Sequence, residues 1–207
     1  GILIYPIYIL GFLIPRSKYI WVFGAWFGTK FSDNSRFMFE YVNKNHPEIK
    51  SIWLSKDSTL VWELNQMGYI AHRQWSIPGV WFSFRAGYTF ICCSYSDVNR
   101  AGISNSIKVQ LWHGIPMKKI RYDDPNNPSQ ESSGFVANLF FSIFPFYHEK
   151  FDYVISTGPI CTSRFKTAFK INRKQILETG YPRTDVLFFQ NDLKNKLFVH
   201  TDENTKR

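Results

Sequence analysis

Val109-Gln110-Leu111-Trp112-His113-Gly114-Ile115-Pro116-Met117-Lys118-Lys119 is the stretch on which the reading of this chain turns. Residues 107 to 112 read as a buried strand of a parallel sheet, and that strand runs directly into His113-Gly114. Gly114 and Pro116 then fix a tight loop. Open α/β sheets bind ligands just outside the carboxyl ends of their strands, so a histidine here is held firmly yet stays within reach of substrate. With an ordinary pKa of about 6.5, an imidazole can take a proton from an alcohol at neutral pH. Lys118 and Lys119 add positive charge that favours a nearby phosphate. The bland alternative is a core histidine bonded to backbone, and spacing alone weighs the two evenly.

Outward from this stretch the pattern alternates. Residues 18–24 are apolar, β-branched and aromatic and end in glycine, which suits a strand. Ser32-Asp33-Asn34-Ser35 offers caps for a helix through Phe37, Phe39, Tyr41 and Val42. Strands are expected at 49–54, 69–72, 88–94, 151–157, 175–179 and 196–200, and helices at 58–67, 77–84 and 163–169. Strand–helix alternation of this kind implies an α/β fold, a Rossmann-like parallel sheet with helices on both faces. Residues 121–133 are polar and form a loop, and the aromatic residues 135–146 read either as a helix packed on the sheet or as a surface apolar patch.

The 207 residues carry 25 Lys and Arg against 16 Asp and Glu, a formal charge of +9 that favours an acidic partner. Nucleic acid is not expected, because the basic residues are dispersed and no helix-turn-helix or RNA-binding aromatic motif is present. Cys92, Cys93 and Cys161 form neither a CxxC pair nor an even framework, which fits a reducing compartment. No dedicated metal site is expected, since the five histidines show no ligand spacing. Residues 1–14 are uncharged and are followed by Pro15, Arg16 and Lys18. This run is too short to span a bilayer, which takes about 20 apolar residues. It reads as the end of a longer membrane segment, as an interfacial anchor with a basic flank, or as a buried first element.

Arg183 is a second candidate, because Gly180 and Pro182 make a stiff turn that can present its guanidinium to phosphate oxygens. The competing reading is a salt bridge to Asp185 or a cap made by Asp185. Asp33 and Asn34 suit a helix cap, or a loop close to a bound substrate.

The central stretch resembles the WHG-[TI]-P-[LM]-K motif of the CDP-glycerol glycerophosphotransferase family, the teichoic-acid primases and polymerases. Phe31-Ser32-Asp33-Asn34-Ser35-Arg36 with Phe39-Glu40-Tyr41, Ile52-Trp53-Leu54-Ser55 and Gly180-Tyr181-Pro182-Arg183-Thr184-Asp185-Val186-Leu187 resemble further family segments in the right order. Ile115, Met117 and Thr184 depart mildly from the commoner Thr, Leu and Asn.

The resemblance implies the N-terminal, acceptor-side lobe of a glycosyltransferase-B-type fold, with CDP-glycerol held mainly by a second lobe beyond Leu187. It implies attack of an acceptor hydroxyl on the β-phosphorus of CDP-glycerol, release of CMP, and His113 as general base. No cofactor is implied. Lys118, Lys119, Arg183, Asp33 and Asn34 become substrate-binding candidates. The acceptor is expected to be a membrane-linked glycan or poly(glycerol phosphate) at an anionic membrane surface on the cytoplasmic side, and CDP-ribitol is the alternative donor. A non-catalytic lobe that only docks to membrane or partner is the rival outside this class. The expected divisions are an apolar membrane-proximal segment at 1–17, the lobe at 18–190, and a linker or start of the second lobe at 191–207. On its own such a chain is expected to be inactive.

Overall fold

The computed structural model describes residues 4–126 and 135–189. Among these, α1 is Tyr5–Leu13, β1 Ser17–Phe23, α2 Asp33–Asn45, β2 Lys50–Ser55, α3 Ser58–Gln66, β3 Ala71–Arg73, α4 Ile77–Arg85, β4 Ala86–Ile91 and β5 Ile107–Gln110. Then follow α5 Phe135–Ile143, β6 Tyr153–Ile155, α6 Pro159–Ala168, β7 Ile176–Leu177 and α7 Pro182–Phe189. The strand expected at 196–200 and the segment 191–207 lie outside the described residues, as does 127–133 of the polar loop.

The seven strands are all parallel, in the order β3-β2-β1-β4-β5-β6-β7. The chain grows from β1 to β3 in one direction and then crosses back to β4, so the order reverses between β1 and β4. A reversal of this kind opens a crevice at the carboxyl ends of the strands.

Period-two alternation divides the core between two faces. Val22, Ile52, Leu54 and Ile91 pack on one side with Phe165 and Phe169 of the α6 region. Phe23, Trp53 and Phe90 pack on the other with Phe39 and Val42 of α2 and Leu64 of α3. Local chemistry starts the helices. Asp57 accepts from the amides of Thr59 and Leu60 at the head of α3, and Ser76 accepts from Gly79 N at the head of α4. Gly24 is required at the end of β1, because a Cβ there would lie 2.1 Å from the carbonyl oxygen of Asp97.

Four expectations change in the structure. The strand predicted to reach Trp112 stops at Gln110, because Trp112 turns into the left-handed region at φ 52°. Residues 92–94 leave β4 as a loop, and the strand expected at 175–179 shortens to β7. Arg16 does not serve as a free basic flank. Its guanidinium donates to the carbonyls of Gly11, Ser83, Ala86 and Gly102, which fastens the end of α1 to α4, β4 and the loop after β4.

α1 itself is neither buried nor long. Ile9, Leu10, Phe12 and Leu13 are exposed, while Tyr5 and Tyr8 meet Phe144 and Phe146 edge-on or tilted. Among the described residues no helix is long and apolar enough to cross a membrane. The aromatic stretch forms α5 with an exposed apolar side, and Phe146 beyond it is buried against Tyr5 and Tyr8 of α1. Leu139, Phe140 and Ile143 of α5 stand exposed.

Candidate functional site

His113 sits just past the end of β5, next to the crevice between β1 and β4. Its Nδ1 lies 2.8 Å from the carbonyl oxygen of Cys92. A carbonyl only accepts, so Nδ1 carries the proton and Nε2 is left with the lone pair. Among the described residues no hydrogen-bond partner meets Nε2. The ring is stacked on Trp112 at 4.2 Å and tilted against Trp26 at 5.4 Å. Imidazole orientation is therefore set by one directional bond and two aromatic walls.

The backbone that carries His113 is strained and then secured. Trp26, Phe27, Asp33 and Trp112, none of them glycine, all take positive φ around the ring. Such conformations cost on the order of 1–3 kcal/mol each and persist only where surrounding bonds hold them. Asn34 supplies several of those bonds. Fully buried, it donates Nδ2 to the carbonyls of Leu111 and Trp112 at 3.0 and 2.9 Å, and its Oδ1 accepts from Arg183 N at 3.2 Å. Tyr181 adds a fourth tie, donating its hydroxyl to Gly114 O at 2.7 Å.

Asp33 and Arg183 close the ring of contacts. Arg183 Nη1 donates to Asp33 Oδ1 at 2.6 Å, and Trp26 Nε1 donates to Asp33 Oδ2 at 3.1 Å. The sequence suggested Asp185 as the structural partner of Arg183, and suggested that Asp33 and Asn34 cap a helix. In the structure Arg183 pairs with Asp33, and Ser32 occupies the cap position of α2 without a side-chain bond. Both carboxamide and carboxylate are drawn instead toward loops from β5 and β7. His113, Asn34, Asp33 and Arg183 thus form one cluster. Lys118 and Lys119 lie on an exposed loop beyond it.

A second layer under the histidine escaped sequence reasoning. Asp97 is fully buried, and its carboxylate accepts from Phe27 N at 2.7 Å, Cys92 N at 2.9 Å and Cys93 N at 2.7 Å. These bonds join the β1 and β4 loops and aim the Cys92 carbonyl at His113. Burial nevertheless pushes Asp97 up to about 6. Cys93 Sγ lies 3.7 Å from both Cys92 Sγ and His113 Nδ1. Hydrogen bonding from Cys92 holds the Cys93 thiol below the ordinary cysteine range, and contact with that sulfur raises the pKa of His113. Burial opposes the rise at His113, and the Cys92 carbonyl adds to it.

Cys92, Cys93 and Asp97 bring three potential metal donors within 4.8 Å of one another. Both Asp97 oxygens are already engaged by backbone amides, so an ion would have to break the bonds that shape the loop. The one sequence signal that could have found Asp97 is its place as an acidic residue just past a buried apolar run.

With this geometry in place, comparison with known proteins is decisive. Residues 8–205 match the family described as CDP-glycerol:poly(glycerophosphate) glycerophosphotransferase. The chain belongs to that family. A teichoic acid poly(glycerol phosphate) polymerase of Bacillus spizizenii is 28% identical over 202 residues, which cover 92% of this chain and 49% of the relative. A teichoic acid glycerol-phosphate transferase of Staphylococcus aureus is 28% identical over 204 residues, with the same two coverages. A solved structure of the wall teichoic acid polymerase TagF superimposes with a TM-score of 0.64 at 25% identity, over 87% of this chain and 42% of that one. The chain spans about half the length of these glycerophosphotransferase relatives. Its sheet is the Rossmann-like lobe of a glycosyltransferase-B-type fold.

Proposed function

We propose that this chain is the acceptor-side lobe of an enzyme that transfers glycerol phosphate from CDP-glycerol to a hydroxyl of a membrane-linked glycan or poly(glycerol phosphate). The observation that carries the reading is the fixed tautomer of His113, with Nδ1–H on the Cys92 carbonyl and Nε2 left to accept a proton. The acceptor hydroxyl attacks the β-phosphorus, its proton passes to Nε2, the diphosphate bond breaks, and CMP leaves. Arg183 braces the site through Asp33 and keeps further N–H groups for phosphate, while Lys118 and Lys119 add charge at the mouth. Cytidine and diphosphate contacts are assigned to a second lobe. Catalysis here rests on orientation and charge stabilisation, with no covalent intermediate.

The acceptor is met at the cytoplasmic face of a membrane. Support comes from the exposed apolar sides of α1 and α5, which ring contacts between Tyr5, Tyr8, Phe144 and Phe146 join into one surface. CMP release by the full-length enzyme from CDP-glycerol, with CDP-ribitol as the control donor, tests the chemistry. His113→Ala is expected to lower single-turnover transfer by roughly 10²–10⁴-fold with little change in folding. Transfer at the parental rate by that variant removes the general-base role.

A further inference from the structure

A cavity of about 570 Å³ opens between α1, α5 and the residues around β5 and β6, away from His113. Its size falls within the range of small-ligand sites. Arg100, Lys108, Lys150 and Asp152 line it together with the rings of Tyr8 and Phe141. Three cations face one carboxylate, so the cavity is positive. Lys108 donates Nζ to the carbonyls of Ser104 and Ser106 and so keeps a third N–H in reserve. Lys150 is exposed, and among the described residues its ammonium has no partner.

The surroundings identify the kind of ligand. The mouth is flanked by α1 and α5, whose exposed sides carry Leu10, Leu13, Phe140 and Ile143. A freely soluble phosphate has no use for such a rim. An anion with acyl chains attached does, because its head enters the positive cavity while its chains lie against the apolar helices. We infer that this cavity binds the phosphodiester headgroup of an anionic glycerophospholipid, and that it fixes how the lobe sits on the membrane. The inference rests on the membrane-side reading above and deepens it, since it names one lipid-binding site in place of diffuse attraction. Burial holds Lys108 down to about 8, and an occupying anion acts in the opposite sense.

The test is flotation of the full chain with vesicles of phosphatidylglycerol mixed with phosphatidylcholine, and with phosphatidylcholine alone. Lys150→Gln should weaken binding to the anionic vesicles roughly fivefold, and Arg100→Gln with Lys150→Gln roughly thirtyfold. Lys44→Gln, which removes the same charge from α2 on the opposite face of the sheet, should change nothing. Lys150 is exposed, so its replacement leaves the fold intact, and circular dichroism verifies this. Equal losses from Lys150→Gln and Lys44→Gln overturn the site and leave only diffuse attraction. Displacement from the vesicles by free glycerol phosphate overturns it too, by making the cavity a soluble-phosphate site. If the parent binds and only Leu13→Asp weakens binding, the membrane reading stands and the headgroup site falls. A parent that ignores both kinds of vesicle removes both.

Discussion

The loops around His113 and the layer formed by α1 and α5 are assembled on opposite physical principles. Around His113 nearly every connection is a directional bond made by a buried polar group: Asn34 to two carbonyls, Asp97 to three amides, Tyr181 to Gly114. In the α1 and α5 layer, aromatic edges and exposed aliphatic side chains dominate, with Arg16 as the main polar fastening. Directional buried bonds hold one geometry and fail abruptly when a partner changes sign. Apolar contacts are non-directional and tolerate substitution, so they cannot fix a side chain's orientation as the bonds around His113 do.

Breaking the polar side of this contrast should give the largest effect. Asn34→Asp keeps the shape of the side chain but turns the donor toward Leu111 and Trp112 into an acceptor, so two carbonyls lose their partner and face a negative charge. A loss of about 3 kcal/mol or more is expected in urea unfolding of this chain. A loss under about 1 kcal/mol would mean that the loop does not depend on Asn34. Asp33→Asn comes next. It weakens the bridge to Arg183, whose side chain is 37% exposed and therefore screened, so about 1 kcal/mol is expected by the same measurement. The smallest effect belongs to the apolar layer. Leu13→Ala, at a side chain 72% exposed, should change stability by less than about 0.5 kcal/mol while lowering vesicle binding. A large stability loss there would show that α1 packs as core.

The same contrast explains what the sequence disclosed. β1, β2, β4 and β5 are written as short apolar runs separated by helix periods and caps, so the parallel sheet was legible, with boundaries off by one to three residues. Trp112 was read as strand because its bulk and apolarity suit one. It turns left-handed instead, with its carbonyl accepting from Asn34 and its amide donating to the side chain of Gln110. Asp33 and Asn34 stand where capping residues belong, so the local pattern suits a cap as well as a loop near substrate. Their actual partners lie 77, 78, 149 and 150 residues away, beyond the reach of any local pattern. Asp97 was missed for the same reason, since it works on backbone amides contributed by the loop after β1 and the end of β4. Arg16 looked like a headgroup contact because it follows an apolar run. Four carbonyls in space, two of them more than 60 residues along the chain and one more than 80, claimed it instead.

The fold gives His113 a fixed tautomer and a raised pKa. A raised imidazole pKa favours the charged form in the folded state. Its contribution to stability is therefore complete below about pH 6.5 and is lost as pH rises through the folded value, while capacity to act as a base is gained over that same rise. Heteronuclear NMR titration of His113 tests this most directly. The neutral ring should carry a proton on Nδ1 and none on Nε2, with a pKa above about 6.5 that falls in Cys93→Ala, since contact with Cys93 is the largest cause of the rise. A neutral ring protonated on Nε2, or a pKa that Cys93→Ala leaves unmoved, would contradict it.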